Sequence, residues 1–237
     1  MSRKMRMTQV ASIEDISPHM RRIILTGDDL LDFPAGQESA HVKAIFPQSK
    51  QSLPRLGLYL GAKCWMRSYT VRAFDEAAKK LTLDFAVNDH EGLATNWASN
   101  AQVGDYLGIS GPGPTKHTNL EAPWQLMAAD LTGLPALAAI IEKLPKQAQG
   151  FAFIQVPSEL DVQSIKSPQG MSVRWLINSD PNKNVLLEEM MALTWQAGSP
   201  AIFIATQSAH MKTLKAHVKK QPAYKRAYTY ASGYWKH

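Results

Sequence analysis

The sequence predicts two domains: an amino-terminal antiparallel Greek-key β-barrel over residues 1–118 and a carboxy-terminal α/β domain with a parallel sheet over residues 119–237. The chain has 237 residues, which exceeds the usual size of one domain and suits two. Its first half contains short runs of alternating apolar and polar residues, whereas the second half alternates apolar runs with helical segments. The boundary is placed just after the Gly-Pro-Gly-Pro loop at residues 111–114.

The amino-terminal half is predicted to contain six short strands and one helix. Apolar residues alternate at positions 81, 83, 85 and 87, which is the period of a strand with one buried face. A short helix is expected to begin near Ala94 and to end near Asn100. Antiparallel strands that close into a barrel leave no exposed edge. The predicted strands are residues 8–13, 20–26, 40–46, 68–74, 80–87 and 106–110.

The carboxy-terminal half alternates strands and helices. This order implies right-handed βαβ crossovers and therefore a parallel sheet. The predicted strands are residues 125–129, 151–156, 173–177, 201–205 and 228–231, and the predicted helices are residues 134–143, 185–195 and 208–219.

Composition limits the classes of partner. The formal net charge is +6, which favours anionic partners. The basic residues are scattered without a nucleic-acid-binding motif, so we expect a small anionic ligand and no nucleic acid. No apolar run suits a membrane span and the amino terminus has no secretory core, so we expect a cytoplasmic protein without a membrane partner, a processed precursor being the alternative. The single cysteine, Cys64, excludes an internal disulfide, and the histidine spacing predicts no metal site.

Residues 67–72, Arg-Ser-Tyr-Thr-Val-Arg, form the most informative segment. In a strand, Arg67 and Tyr69 share one face, while Ser68 and Thr70 point to the other. An arginine grips phosphate through paired donors, and a tyrosine ring covers a flat heteroaromatic surface. The combination suits a planar cofactor that carries phosphate, such as a flavin. The alternative is an ordinary half-buried strand with polar side chains.

Two further segments follow in order. Residues 89–98 run from the end of a predicted strand through Gly92, where a tight turn is expected, into the predicted helix. A helix amino terminus suits a diphosphate, to which Thr95 could donate its hydroxyl. An ordinary capped helix is the alternative. A turn at Gly104 and Asp105 then leads through a strand to the loop at residues 111–114.

Taken in order, these three segments resemble the flavin domain of the ferredoxin-NADP reductase superfamily. More closely, they resemble its siderophore-interacting branch, the FAD-containing ferric-siderophore reductases. Further matches extend over nearly the entire chain. They are the opening strand at residues 17–27, His-Val-Lys at residues 41–43, the Asp-x-Thr-x-x-Pro-Ala turn at residues 130–136, and Ser-Gly-Tyr-Trp-Lys at residues 232–236.

The resemblance implies bound FAD. Tyr69 is expected on the flavin face and Thr70 near N5, as the two residues that serve catalysis, with Arg67 on the pyrophosphate. Trp235 would cover the opposite face or close the pocket, packing at the carboxy terminus being the alternative. The implied cofactor-binding residues are Arg67, Ser68, Tyr69, Thr70, Val71, His90, Gly92, Ala94, Thr95 and Trp235.

The resemblance also implies an anionic ferric siderophore as substrate, held by Lys43, Lys116 and Lys236. Siderophores bind Fe(III) with hard oxygen donors, which hold Fe(II) much less tightly, so reduction releases the metal. The protein itself then needs cations near the flavin and no iron ligand. Each of these lysines could instead be a solvated surface residue.

The electron donor is expected to bind at the turn after the first strand of the second domain. The resemblance implies that NADH or NADPH contacts Asp130 and Thr132 there, and Gly133 would permit close approach of the backbone. A capped helix without a ligand is the alternative. Residues 206–207 are Thr-Gln, where the family commonly has Gly-Glu, so a ferredoxin is an alternative donor.

The sequence therefore predicts an FAD-dependent oxidoreductase that reduces ferric siderophores to release Fe(II). Two alternatives stay open. One is a general flavin or ferric-chelate reductase whose acceptor is not a siderophore. The other is a non-catalytic protein that binds ferric siderophores.

Overall fold

The computed structural model describes residues 4–48, 51–57, 60–87, 91–116, 119–180 and 182–236. The chain divides into two compact units, Met1–Thr115 and Lys116–His237. The predicted fold class is confirmed, because the first unit contains an antiparallel, barrel-like sheet and the second contains a parallel sheet with helices. Among the described residues, none of the helices has the length and apolar character that a membrane span requires.

In the described residues, the first unit has a seven-stranded sheet and one α-helix. Every strand pairing is antiparallel, in the order β4-β3-β7-β1-β2-β6-β5. The elements are β1 (Met5–Ser17), β2 (Met20–Thr26), β3 (His41–Ile45), β4 (Met66–Thr70), β5 (Ala73–Asp75), β6 (Lys80–Ala86), α1 (Leu93–Asn100) and β7 (Tyr106–Ser110).

A single bent segment closes this sheet into a barrel. The strand predicted at residues 68–74 is two strands, β4 and β5, because its hydrogen-bond partner changes between two consecutive residues. Val71 N–H donates to Ala40 O at 2.9 Å, on the β3 side, and Arg72 N–H donates to Thr82 O at 3.0 Å, on the β6 side. The two halves therefore pair with opposite edges of the sheet, which explains why the structure has seven strands where the sequence predicts six.

The barrel core follows the alternation seen in the sequence. Leu81, Leu83 and Phe85 on β6 are completely buried. Asp84 lies between two of them and is also buried, and it accepts two hydrogen bonds from the Arg22 guanidinium, at 2.7 and 2.8 Å. A buried carboxylate is tolerated when such a pair offsets its loss of hydration.

Over the part of the second unit that the structure describes, five strands form a parallel sheet and three segments are α-helical. The strand order is β10-β9-β8-β11-β12. The elements are β8 (Gln125–Asp130), α2 (Leu134–Ile141), β9 (Gln149–Val156), β10 (Gly170–Ile177), α3 (Val185–Ala192), β11 (Ala201–Gln207), α4 (Ser208–Val218) and β12 (Thr229–Trp235). Helix α3 ends three residues before its predicted end, because Leu193 is already extended.

The centre of the parallel sheet positions the carboxyl-edge residues. All six residues of β8 are buried, as expected for a central parallel strand. The chain leaves β8 towards β9 and β10 on one side and later returns to β11 and β12 on the other. The carboxyl ends of β8 and β11 therefore meet at a topological switch point, which is where open α/β sheets bind ligands.

Candidate active site

The register of β3 and β4 sorts the predicted cofactor residues onto two faces. Tyr69 pairs with Val42 and Arg67 pairs with Ala44, and both β3 partners are completely buried. Arg67 and Tyr69 therefore lie on the face of the sheet that carries core residues. Ser68 pairs with Lys43 on the other face.

The opposite face joins two residues that the sequence assigns to different ligands. The Lys43 ammonium donates a hydrogen bond to the Ser68 hydroxyl at 2.6 Å. Lys43 is predicted to bind substrate and Ser68 is predicted to bind the cofactor. The structure thus brings the two predicted sites together on adjacent strands.

Arg67 presents an oriented cation at the start of β4. Its side chain is exposed, and its Nη1 donates to the carbonyl oxygens of Cys64 and Met66, at 3.1 and 2.9 Å. These bonds hold the guanidinium against the main chain that precedes the strand. An exposed, oriented guanidinium can bind a phosphate group of a ligand.

An aromatic cluster connects β4 to the helix that carries other predicted cofactor residues. The Tyr69 ring lies 4.1 Å from the Phe85 ring, between centroids, and the Phe85 ring lies 5.7 Å from that of Trp97 on α1. Phe46 completes the cluster, at 6.5 Å from Tyr69 and 5.5 Å from Trp97. Burial raises the pKa of the Tyr69 phenol well above its ordinary value, while the Arg67 charge lowers that pKa. Tyr69 is therefore a neutral, half-buried ring.

The tight turn expected before α1 stays a prediction, because residues 88–90 lie outside the described residues. Gly92 is the N-cap of the helix, and its backbone is extended, with φ −174°. Its N–H donates to the Asn96 side chain at 3.1 Å. Ala94 and Thr95 follow in the first turn and are half-buried. His90, the remaining predicted residue of this segment, lies outside the described residues.

The end of β4 is less available to a cofactor than predicted. Thr70 is buried, and the Val71 side chain is completely buried in the barrel core. The Val71 N–H donates to Ala40 O, and its carbonyl accepts from Ser39 N–H at 3.0 Å. Val71 is therefore not placed to bind a cofactor, because barrel closure uses its side chain and both of its main-chain groups.

In the second unit, Asp130 at the end of β8 accepts six hydrogen bonds, which we call the Asp130 network. Oδ1 accepts from Thr132 N–H, Thr132 Oγ1 and Gly133 N–H, at 2.9, 2.6 and 3.2 Å. Oδ2 accepts from Thr206 Oγ1, Gln207 N–H and Trp235 Nε1, each at 2.8 Å. One buried carboxylate thus ties together the carboxyl ends of β8, β11 and β12.

The Asp130 network changes how three predictions are understood. The oxygens of Asp130 are bound by protein donors, so any part it has in donor binding would act through the loops it holds. Trp235, predicted to cover the flavin, is fixed by its indole N–H. Gly133 was expected to permit approach to a ligand, but a Cβ there would lie 2.2 Å from Ala205 O. Glycine is therefore required for packing against β11.

Gln155, at the carboxyl end of β9, is a residue that the sequence analysis did not identify. It pairs in register with Asp130 and is only 8% exposed. Its Oε1 is buried and has no hydrogen-bond partner in the part of the chain that the structure describes. A buried acceptor of this kind favours an N–H donor from a ligand at this edge. A single glutamine in a strand gives no signal of such a role in the sequence.

The two remaining predicted lysines lie in different settings. The Lys116 ammonium donates to the Tyr234 hydroxyl at 3.1 Å and lies over the rings of Tyr234 and Tyr230. Lys236 is exposed after the end of β12. Tyr234 lies in the Ser-Gly-Tyr-Trp-Lys motif at residues 232–236, whereas Tyr230 is not among the residues identified from the sequence. Lys116 contacts both rings, although the register of β12 shifts between Gly233 and Trp235.

Comparison with known proteins matches both units to one family. Residues 9–116 match the siderophore-interacting FAD-binding domain, and residues 122–237 match the siderophore-interacting protein family. Ferric vibriobactin reductase ViuB of Vibrio cholerae is 32% identical over 232 residues, which cover 93% of this chain and 85% of that protein. An NADPH-dependent ferric-chelate reductase of Escherichia coli is 29% identical over 191 residues, covering 76% of this chain and 74% of that protein.

A solved structure gives the same result for the fold. The siderophore-interacting protein SipS from Aeromonas hydrophila superposes with a TM-score of 0.88 at 34% identity, covering 99% of this chain and 92% of that chain. The two named relatives are ferric reductases, which agrees with the predicted flavin-dependent oxidoreductase. The chain belongs to the siderophore-interacting protein family, as the order of its motifs predicts.

Proposed function

We propose that this protein is an FAD-dependent reductase of ferric siderophores that takes its electrons from NADH or NADPH, with a ferredoxin as the alternative donor. Its family, and the activities in the names of its two relatives, support this assignment. The lysines predicted to bind substrate would hold a negatively charged iron complex.

The hydrogen bond between Lys43 and Ser68 carries the proposal. It places a cation predicted to hold the iron complex 2.6 Å from a hydroxyl on the strand predicted to hold the flavin. Electron transfer from a cofactor to a metal complex requires the two to lie close together. Two ligands bound by adjacent residues on β3 and β4 would meet that requirement.

The residues of the first unit fit an FAD. Arg67 supplies an exposed guanidinium for the pyrophosphate, and the neutral Tyr69 ring supplies an apolar surface for the isoalloxazine. Ser68, Thr70, Gly92, Ala94 and Thr95, with His90, would surround the remainder. When bound, FAD supplies the exchange between a two-electron donor and the single electron that each Fe(III) requires. The protein contributes binding, orientation and charge.

The expected negative charge of the substrate accounts for the three lysines predicted to bind it. A ferric complex with several deprotonated oxygen donors is anionic, and Lys43, Lys116 and Lys236 would bind it as point charges without fixing its shape. Once the iron is Fe(II), hard oxygen donors hold it less tightly. The protein therefore needs to bind the intact complex and has no need to bind the metal.

The carboxyl edge of the parallel sheet is proposed as the donor site. The Asp130 network fixes the turn at Thr132 and Gly133, and Gln155 adds a buried acceptor beside it. A nicotinamide carries a carboxamide N–H that could donate to Gln155 Oε1. A ferredoxin would not reach a buried acceptor, so a loss of NADH or NADPH oxidation on changing Gln155 would favour a nicotinamide donor.

The proposal is tested by a reconstituted reaction. The purified protein should bind FAD and turn yellow. After anaerobic photoreduction, mixing with a ferric siderophore in the presence of an Fe(II) trap should reoxidise the flavin and colour the trap. Reoxidation by simple ferric chelates but not by siderophores would favour a general ferric-chelate reductase. Binding of the iron complex without flavin reoxidation would favour a non-catalytic binding protein.

The basic residues are tested by a triple variant. Lys43→Ala, Lys116→Ala and Lys236→Ala together should weaken binding of the ferric complex and leave the FAD content unchanged. A matched control replaces three exposed lysines, Lys146, Lys212 and Lys219, so that the net charge falls equally. Equal affinity in the two triple variants would contradict a role for these lysines beyond overall charge.

A further inference from the structure

The charges of the second unit are unevenly distributed along the chain. Residues 190–237 contain seven lysine and arginine residues and no aspartate or glutamate, whereas residues 116–189 contain six basic and eight acidic residues. The last 48 residues therefore carry a formal charge of +7, which exceeds the +6 of the whole chain. The asymmetry arises from the absence of acidic residues, because basic residues occur along the entire sequence.

Six of these cations lie on helix α4 and on the turn that leads from it to β12. We call this set the basic surface, and its members are Lys212, Lys215, Lys219, Lys220, Lys225 and Arg226. All are exposed except Lys215, which is half-buried. The opposite side of α4 packs Leu214 and Val218 into the core of the unit. The basic surface therefore faces solvent.

Most of the basic surface lies away from the proposed donor site. Strands β11 and β12 are parallel, so α4 has to run back from the carboxyl edge of the sheet to its amino edge. The turn that follows α4 and precedes β12 therefore lies at the amino edge. Asp130, at the end of β8, lies at the carboxyl edge. The basic surface is thus distinct from the Asp130 network.

The charge of the basic surface is not neutralised within the protein. Among the residues that the structure describes, none of its six cations forms an ion pair. Earlier in the same unit, by contrast, Arg174 pairs with Glu189 at 3.3 Å and Lys183 pairs with Glu188 at 3.9 Å. The basic surface therefore keeps its charge for an external partner.

This arrangement of like charges lowers the stability of α4. Lys212, Lys215 and Lys219 are spaced three and four residues apart, so they are neighbours on the helix and repel one another. The helix dipole favours cations in the last turn, which accounts for part of the cluster but not for the cations beyond the helix. A repulsive cluster with no compensating acid in its own segment indicates an anionic partner.

The composition of the basic surface favours lipid headgroups over a protein partner. Five of its six cations are lysines, whereas protein interfaces are depleted in lysine and contain aromatic or apolar anchors. In the described part of the second unit, the exposed large apolar side chains all precede α4, and the last of them is Met191. A bilayer with anionic lipids presents diffuse charge without a fixed shape, for which flexible ammonium groups suffice.

We infer that the basic surface binds the protein to the surface of a membrane that contains anionic lipids. The contact is electrostatic and peripheral, because α4 packs its apolar side chains into the core of its own unit. A peripheral contact needs no apolar run, and the absence of such a run was the basis for expecting no membrane partner. The inference therefore replaces that expectation.

The proposed substrate favours a lipid surface over nucleic acid, and in this respect the inference rests on the proposed function. An anionic iron complex cannot cross a bilayer unaided, because burying its charge in the apolar interior is costly. Such a complex has to be carried through the membrane. A reductase bound at the membrane surface would meet the complex where it enters.

The inference is tested by co-sedimentation of the full chain with vesicles, without iron or an electron donor, so that binding is measured apart from reduction. The protein should bind vesicles of phosphatidylcholine with about one third phosphatidylglycerol and should not bind phosphatidylcholine alone. Raising the salt from about 0.1 M to about 1 M shortens the screening length from about 10 Å to about 3 Å and should release the protein. These measurements use the wild type, so they hold even if a variant fails to fold.

A variant then assigns the binding to the basic surface. It replaces three exposed lysines with glutamine, in Lys212→Gln, Lys219→Gln and Lys220→Gln. Each lost charge should weaken binding to the anionic vesicles about three- to fivefold, so the triple variant should bind about thirty- to hundredfold more weakly. A matched control lowers the net charge equally by replacing three exposed lysines elsewhere, Lys80, Lys166 and Lys183. The control should bind nearly as tightly as the wild type.

Three results would overturn the inference. They are equal binding by the two triple variants, binding to neutral vesicles, and tighter binding to duplex DNA than to anionic vesicles at the same salt concentration. A protein that binds the vesicles but whose reduced flavin no ferric complex reoxidises would contradict the proposed function alone.

Discussion

Strand β4 and the carboxyl end of β8 both carry motif residues on which the family resemblance rests. The side chains of the two regions differ in their exposure and in their hydrogen-bond partners. On β4, Arg67 and Ser68 are exposed, and Arg67 bonds to neighbouring main-chain carbonyls. At the end of β8, Asp130 is buried and accepts six hydrogen bonds from five residues of its own unit. The β4 side chains stay accessible to solvent, whereas both oxygens of the Asp130 carboxylate are bound by groups of its own unit.

This difference shows that a recurring sequence motif need not mark direct contact with a ligand. A buried carboxylate with all of its lone pairs used is a structural element, because further binding would require one of these bonds to break. An exposed guanidinium keeps the capacity to bind. Changes in the two regions should therefore separate stability from ligand binding.

The largest effect is expected from Asp130→Asn. The amide would turn two N–H donors towards groups that are themselves donors, leaving buried hydrogen-bonding groups unsatisfied. The free energy of unfolding should fall by about 3–4 kcal/mol, measured from the urea midpoint. Trp235→Phe is the matched control, because it removes one donor and keeps the carboxylate, and it should cost about 1 kcal/mol. Equal midpoints for wild type and Asp130→Asn would contradict the structural role.

Arg67→Ala should act on cofactor binding instead. Loss of charged hydrogen bonds to a pyrophosphate corresponds to about ten- to hundredfold weaker FAD binding, measured by titration of the apoprotein. The urea midpoint of the apoprotein should hardly move, because the side chain is exposed. The control is Arg226→Ala, an exposed arginine of the other unit. Full FAD affinity in Arg67→Ala would remove the phosphate role.

Gln155→Leu should change stability and donor use in opposite directions. Gln155 Oε1 is a buried acceptor with no partner in the described ranges of the chain, so its removal should raise the free energy of unfolding by about 1 kcal/mol. If Oε1 receives a nicotinamide N–H, the KM for NADH or NADPH should rise, while photoreduced protein still transfers electrons to iron. Gln163→Leu removes another buried group without a partner in the described part of the chain and should leave KM unchanged. A destabilised Gln155→Leu protein with wild-type KM would contradict both expectations.

The smallest effect concerns pH and Tyr69. Burial raises the pKa of its phenol in the folded protein, whereas an unfolded tyrosine loses its proton near about pH 10. The protonated phenol of Tyr69 therefore makes its full contribution to the free energy of unfolding below about pH 10. That contribution is lost as the pH rises, at no more than about 1.4 kcal/mol per pH unit. Tyr69→Phe should flatten this alkaline decline in the apoprotein, and Tyr228→Phe controls for the chemical change. An identical decline in wild type and Tyr69→Phe would show that the phenol is not buried.

Alternation and strand–helix order were sufficient to predict both sheets, because those patterns are local. Strands β2 and β7 have the predicted ends. The break between β4 and β5 was missed, since residues on both sides favour strands and only their partners differ. The partners of Asp130 on β11 and β12 lie 76, 77 and 105 residues away in sequence. Such contacts form only on folding. The same holds for the rings around Lys116 and for the burial of Gln155 Oε1, which has no hydrogen-bond partner among the residues that the structure describes.

The split between β4 and β5 has a consequence for the apoprotein. The segment that contains Arg67, Ser68 and Tyr69 leads directly into β5, so it joins the two edge strands of the barrel, β4 and β5. A ligand that binds only when both strands are paired stabilises the barrel by mass action, in proportion to the logarithm of the ligand concentration. The concentration of FAD would then determine the lifetime of the folded first unit as well as its activity. A shortage of FAD would first shorten that lifetime.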